Sequence, residues 1–325
     1  MILAGDVGGT NTRLRLFSLE GGERLVGGPE GTVPSRSSAG LGEIVSRFLA
    51  QSGGVRIGTA AFGVAGPVRE GRVEATNLPW IVDAREIAAT VGIPRILLLN
   101  DLEANAWGIS LLEPKDIWTM NPETPPSRGN AAILAAGTGL GEAGLYWDGS
   151  RHIPYSTEGG HSSFAPCSER EVRLLSHLMA RFDHVSWERV LSGPGLSELY
   201  LFLRDREGMV PSGEDVMASP DPSAAITERA LSGSCPLCRE ALHMFVDLYG
   251  SEAGNLALKH LALAGVYLGG GIAPKILTAL QQPRFRERFV GKGRMRSLLS
   301  TIPVHVILND KTALLGAASF AARHA

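Results

Sequence analysis

Apolar and polar positions alternate strictly in few places along the chain, and those places are informative. Thr12–Leu19 reads TRLRLFSL, the period of two expected of a half-buried strand, and it follows a short apolar run, Ile2–Ala4. Leu41–Gln51 has helical spacing, Arg56–Ala65 returns to strand composition up to the break at Gly66-Pro67, and Val82–Val91 is helical again. The run Pro94–Leu99 (PRILLL) predicts a buried strand, ending at Asn100-Asp101. A second buried strand is predicted at Ala131–Ala136, beyond a proline- and asparagine-rich loop over 121–130 that marks a seam near a domain boundary. Glu171–Phe182 places Val172, Leu175, Met179 and Phe182 on one helical face. Ala224–Leu263 reads mainly as helix with breaks expected at Gly233, Pro236 and Gly250. Val266–Leu268 reads as a strand, a helix is expected near Pro274, and a last helix over Lys311–Ala322. Strands alternating with helices predict an α/β fold.

One stretch echoes another. ILAGDVGGTNTRL at 2–14 resembles ILAAGTGLGEAGL at 133–145, and both read as strand, glycine turn, strand. That similarity fits two related halves.

Length changes the picture in one way: 325 residues favour two domains or lobes. A 44% hydrophobic and 20% charged composition is ordinary for a globular enzyme. The formal net charge of −2 gives no electrostatic reason to expect a nucleic acid or an anionic membrane surface as partner. Three cysteines, no export-type leader and no apolar run long enough to span a bilayer lead to the expectation of a cytoplasmic protein.

The 40 glycines carry most of the candidate chemistry, because three clusters follow predicted strands: Asp6–Thr10, Gly137–Gly141 and Gly269–Gly271. Glycine lets backbone N–H groups converge on an anion, although any one cluster also reads as an ordinary turn. No G-x-x-x-x-G-K-[ST] is present, which excludes a P-loop. Gly139, Gly141 and Gly144 satisfy G-x-G-x-x-G, but the following GLYWDGSRHIPY carries an Asp148-Gly149 hairpin signal where a dinucleotide site needs a helix. Asp101 admits two readings: a helix N-cap, or a carboxylate at the C-terminal edge of a strand, placed to accept a hydroxyl proton. Cys235 and Cys238 have zinc-like spacing yet supply two of four ligands, with Cys167, His161 and His243 as the remaining donors in principle.

D-x-G-G-T-N after a first strand resembles the first phosphate motif of the sugar kinase, actin and heat-shock chaperone ATPase superfamily. Gly137–Gly141 is similar to its second phosphate motif, and Leu268–Gly271 to its adenosine motif. More narrowly, LAGDVGGTN, LLLND, AAGTGLG, EGGH, ERVLSGPGL and GGGIAPK stand in the order found in bacterial glucokinases of the non-ROK type, across essentially the whole chain. The cysteine-rich zinc run of ROK sugar kinases is absent, and a phosphate motif starting at Asp6 leads to the expectation that the DNA-binding extension of ROK repressors is lacking.

That resemblance implies two ribonuclease H-like lobes with a nucleotide and sugar cleft between them, over 1–110 plus 310–325 and over 111–309. It implies ATP-dependent phosphorylation of D-glucose, with Asp101 as catalytic base. Asn77, Asn100, Asp101, Glu158, His161 and Glu188 are implied as sugar contacts. Asp6, Gly8, Gly9, Thr10, Asn11, Gly137, Thr138, Gly139, Gly269, Gly270 and Gly271 are implied at the nucleotide, with Asp6 orienting Mg²⁺. The family often forms homodimers. Three other readings remain open: a kinase of another hexose such as mannose, fructose or an N-acetyl sugar, a non-catalytic sugar sensor on the same fold, and a superfamily ATPase with protein partners.

Overall fold

The computed structural model describes the chain apart from Gly22, Glu23, Thr76, Asn77 and Pro126. It is mixed α/β and divides into two compact units: Met1–Pro114 with Pro154–Ser156 and Asn309–Ala325, and Lys115–Ile153 with Thr157–Leu308. Among the described residues no helix is long and apolar enough to cross a membrane.

The first unit opens with β1 (Ile2–Val7) and β2 (Asn11–Glu20), antiparallel and in register from Ile2 opposite Phe17 to Val7 opposite Thr12. β3 (Arg24–Pro34) flanks β2; α1 (Leu41–Gln51) and β4 (Thr59–Val64) follow. A two-stranded ribbon of β5 (Arg72–Val73) and β6 (Val82–Asp83) leads into α2 (Ala84–Val91), β7 (Arg95–Asn100) and α3 (Asp101–Gly108). The sheet order is β3-β2-β1-β4-β7, with β1, β4 and β7 parallel. The period of two sorts β1 between two cores. Leu3 and Val7 pack with Leu16, Phe62 and the Ile44–Phe48 face of α1, whereas Ile2 and Ala4 face Ala104 of α3 and the alanine-rich last helix of the chain.

The second unit contains β8 (Ile117–Thr119), β9 (Ala131–Ala136), β10 (Leu140–Trp147) and the start of β11 (His152–Ser156), whose Pro154–Ser156 is grouped with the first unit, then α4 (Glu169–Met179), α5 (Gly193–Asp205), α6 (Pro222–Leu231) and α7 (Pro236–His260). After these come β12 (Gly265–Gly269), α8 (Leu277–Leu280), α9 (Pro283–Val290), α10 (Arg296–Ser300) and β13 (Val304–Ile307). Its sheet order is β11-β10-β9-β12-β13-β8. β9 and β10 are antiparallel, and β9, β12 and β13 are parallel. The chain closes with α11 (Thr312–Arg323), which packs in the first unit. The echo seen in the sequence is therefore structural: β1–turn–β2 and β9–turn–β10 are both antiparallel hairpins whose first strand has a parallel neighbour on its other side.

Three expectations change. The proline-rich stretch after Asn121 lies inside the second unit, which begins at Lys115. Asn121 is buried there, its amide donating to Ile302 O and accepting from Val304 N. Gly250 does not break α7, which runs unbroken for 25 residues. The glycine instead makes room for α9, since a Cβ at that position would strike the Phe285 carbonyl. The eleven-residue strand β3 was not anticipated. Its RLVGGPEGTVP carries glycines and a proline that hide the alternation and are tolerated because it is an edge strand.

Candidate active site

Each glycine cluster ends a strand, as expected, and each is held by a distinct contact. In the first unit the turn after β1 is closed by Gly8 N–H donating to Asn11 O at 3.0 Å. Ser35, fully buried, pins it from outside: its hydroxyl donates to Gly8 O at 2.6 Å and its N–H to Thr10 O at 2.9 Å. Thr10 and Asn11 remain exposed at the tip. Ser35 sits in an unremarkable PSRSS run, and nothing local in the sequence points to it.

Asp6 is half-buried near the end of β1. Its carboxyl is pushed up to about 6, by burial first, then by the negative charge of Asp101, with Arg13 opposing and Asp310 adding to the rise. Two carboxylates that disfavour each other's ionisation suit a divalent cation. Mg²⁺ ordinarily takes one or two carboxylates and fills its remaining positions with water and phosphate oxygens. The residues present fit that ion.

At the end of β7 the two readings of Asp101 separate. Asn100 is the N-cap of α3: its Oδ1 accepts from Leu102 N at 2.8 Å and from Glu103 N at 3.3 Å, and its amide donates to Gly66 O. Asp101 is the first helical residue, with Oδ1 accepting from Leu102 N at 2.9 Å. The cap belongs to the asparagine, and the aspartate stands partly exposed at the C-terminal edge of a parallel strand.

The second unit gathers the other candidates. Gly137 N–H donates to Gly139 O and Gly137 O accepts from Gly193 N–H, both at 2.8 Å, which shapes the turn between β9 and β10 and leaves Thr138 exposed. Gly270 takes φ +78°, and a Cβ there would clash with the carbonyl of Ala136, so this glycine lets the loop after β12 settle onto the end of β9. Tyr249 of α7 braces both strands, its hydroxyl donating to Leu134 O and lying 3.5 Å from Gly269 O.

Glu158, His161 and Glu188 are brought together. Glu158 and His161 flank one turn, their side chains exposed and 3.9 Å apart. The segment carrying Glu188 is tied to that turn by Trp187 N–H donating to Ser162 O at 3.0 Å, and Phe164 packs edge-on against Trp187. Glu188 Oε2 accepts from Leu140 N–H at 3.0 Å and lies against Gly139. A carboxylate and an imidazole on one turn, and a second carboxylate bonded to the β9–β10 turn, thus stand on segments tied to each other, a set able to pair with several hydroxyls. Asn77 lies outside the described residues. Cys235 caps α7, its sulfur accepting from Cys238 N–H, and among the described residues no group of three metal-type side chains is found.

The family model for glucokinase matches residues 3–324. The glucokinase of Nostoc sp. is 41% identical over 99% of this chain and 99% of its own. That of Neisseria meningitidis serogroup C is 36% identical, over 99% and 95%. Among solved structures, a glucokinase from an Antarctic psychrotroph superposes with a TM-score of 0.86 at 32% identity, covering 99% of this chain and 98% of that one. The glucokinase of Balamuthia mandrillaris, solved in complex with glucose, gives a TM-score of 0.83 at 22% identity over 99% and 93%, a likeness of fold. With motifs, strand order and full-length similarity in agreement, the chain belongs to the glucokinase family.

Proposed function

We propose that this chain is a cytoplasmic ATP-dependent glucokinase converting D-glucose and ATP to glucose 6-phosphate and ADP. The observation that carries this reading is the attachment of Glu188 to the Gly139–Leu140 turn beside Glu158 and His161. Hydroxyl-pairing side chains and a phosphate-type glycine turn belong to one construction. The finer fold assignment, two ribonuclease H-like lobes over 1–110 plus 310–325 and 111–309 around a nucleotide–sugar cleft, is part of the same proposal. The matching strand succession in the two sheets supports it.

In this mechanism Asp101 accepts the proton of the glucose 6-hydroxyl while that oxygen attacks the γ-phosphorus. The bond from that phosphorus to the β–γ bridging oxygen breaks, and ADP leaves with the electron pair. Phosphoryl transfer is loose, so Asp101 serves chiefly to orient the hydroxyl and take up its proton late. Asp6 would hold Mg²⁺, which supplies positive charge to offset the charge developing on the phosphates. The backbone N–H groups of Gly9 and Thr10, and those of Thr138 and Gly139, donate to phosphate oxygens, while the Gly8 and Gly137 N–H groups close the two turns that present them, and Gly269–Gly271 gives the adenosine a surface without side chains. Glu158, His161 and Glu188 bind the sugar hydroxyls, joined by Asn100 and Asn77. A pocket of this kind rejects an analogue lacking a hydroxyl, because its own polar groups would be left unpaired.

A coupled assay with Mg-ATP and glucose, mannose, fructose or galactose tests the reading. Glucose is expected to give the highest kcat/KM. A higher value for another hexose makes this a kinase of that sugar, and glucose binding without turnover makes it a sensor.

A further inference from the structure

Beneath the Glu158–His161 turn lies a pair of buried acids that the proposed mechanism does not use. Glu142, on β10, is 2% exposed, and Glu252, on α7, is fully buried. The two carboxyls are within hydrogen-bonding reach. Glu252 is well supplied with donors: Asn255 reaches Oε2 at 2.7 Å and Lys259 reaches Oε1 at 3.0 Å. The Oε1 of Glu142, by contrast, is buried and has no donor facing it among the described residues. A buried carboxylate oxygen lacking a donor beside a second carboxylate is strongly disfavoured as an anion, so the shared proton belongs on Glu142. Burial first, then the charge of Glu252, pushes the Glu142 carboxyl up to about 8.

Position gives this acid a purpose. Its Oε2 lies where the side chain of any residue other than glycine would stand at 159. Thr157 ties the same strand to the same turn, its hydroxyl donating to Glu142 O at 2.9 Å and accepting from Gly159 N–H at 3.2 Å. Gly159 and Gly160 are the two residues between Glu158 and His161.

We infer that Glu142 is a positioning residue for glucose binding: as a neutral acid donating to Glu252, it forms the floor on which the Glu158–His161 turn rests. The inference builds on the glucokinase reading and names a residue that reading does not require. The charged groups near the pair are Lys259 on α7 and Lys292 beyond α9, and Lys292 in turn feels Cys167, Glu171 and Arg288. On β9, packed on the other side, the residue opposite Glu142 is Leu134, which does not titrate. Loss of the Glu142 proton places two anions together, and the carboxyl nearest the glycine turn moves against it.

The test is steady-state kinetics of wild type, Glu142→Gln and Glu142→Val from pH 6.5 to 9, with thermal melts to confirm folding. In wild type the KM for glucose is expected to rise about tenfold between pH 7 and 9 while the KM for ATP changes less than about twofold. Glu142→Gln, neutral at every pH and still able to donate to Glu252, is expected to keep the wild-type KM at pH 7 and lose the rise. Glu142→Val is expected to raise the glucose KM about tenfold or more at all pH values, with the ATP KM nearly unchanged. If Glu142→Val fails to fold, the comparison of wild type with Glu142→Gln decides. Identical pH profiles for those two, or equal changes in both KM values, overturn the inference and leave the glucokinase reading intact. Wild-type protein that phosphorylates no glucose at any pH overturns the functional reading and this inference with it.

Discussion

Asn100 Oδ1 accepts the Leu102 backbone N–H at 2.8 Å, so the first orphan donors of α3 are satisfied by the residue before Asp101. Adjacent polar residues at a strand-to-helix junction thereby divide two tasks. The asparagine holds the helix start, and the aspartate is placed by it.

This division predicts different outcomes at residue 100. Asn100→Ala removes the cap and the bond to Gly66 O, and should cost about 1 to 2 kcal/mol, or roughly 2 to 4 °C in Tm. Asn100→Ser keeps an effective cap while losing the same Gly66 bond as the alanine variant, and should melt between that variant and wild type. Equal losses in the two variants by thermal melt would show that capping is not what Asn100 contributes.

How much of this could be read from the sequence depends on where each residue's partners lie. β1, β2, β7 and β9 were legible because their apolar periodicity is local, and the glycine clusters because turn chemistry is local too. Ser35 and Glu142 were not, since one acts through Gly8 and Thr10 and the other through Glu252 and Gly159, all distant in sequence. Gly250 misled for the same reason: its neighbour is α9, not its own helix. The capping assignment was left open because Asn and Asp are about equally good caps, and only the backbone placed the helix start.

Glu188 is bonded to the Gly139–Leu140 turn, and under the proposed function its variants should separate sugar binding from nucleotide binding. Glu188→Gln retains an acceptor for Leu140 N–H, so the ATP KM should stay within about twofold while the glucose KM rises about tenfold. Glu188→Ala removes the acceptor as well, and both KM values should rise. A glucose KM unchanged in Glu188→Gln would remove this residue from the sugar site.

Stability should fall in acid partly through His305, which stacks on Tyr267 at 4.8 Å and pairs with Thr119. Burial lowers its imidazole from 6.5 to about 4. The folded state therefore binds the proton less readily than the unfolded chain, and its advantage, complete above pH 6.5, is lost as pH falls to 4. The loss from this one group is about 3 kcal/mol. Urea unfolding of wild type and His305→Phe at pH 7, 5 and 4 should show a shallower acid decline in the variant; parallel declines would assign the acid sensitivity elsewhere.

In the proposed mechanism Asp101 takes the hydroxyl proton, and Asp101→Asn isolates that step. Measured together by calorimetry and coupled assay, the variant should bind glucose within about threefold of wild type while kcat falls about 10² to 10⁴-fold. A kcat within a few-fold of wild type, with glucose still bound, would contradict it.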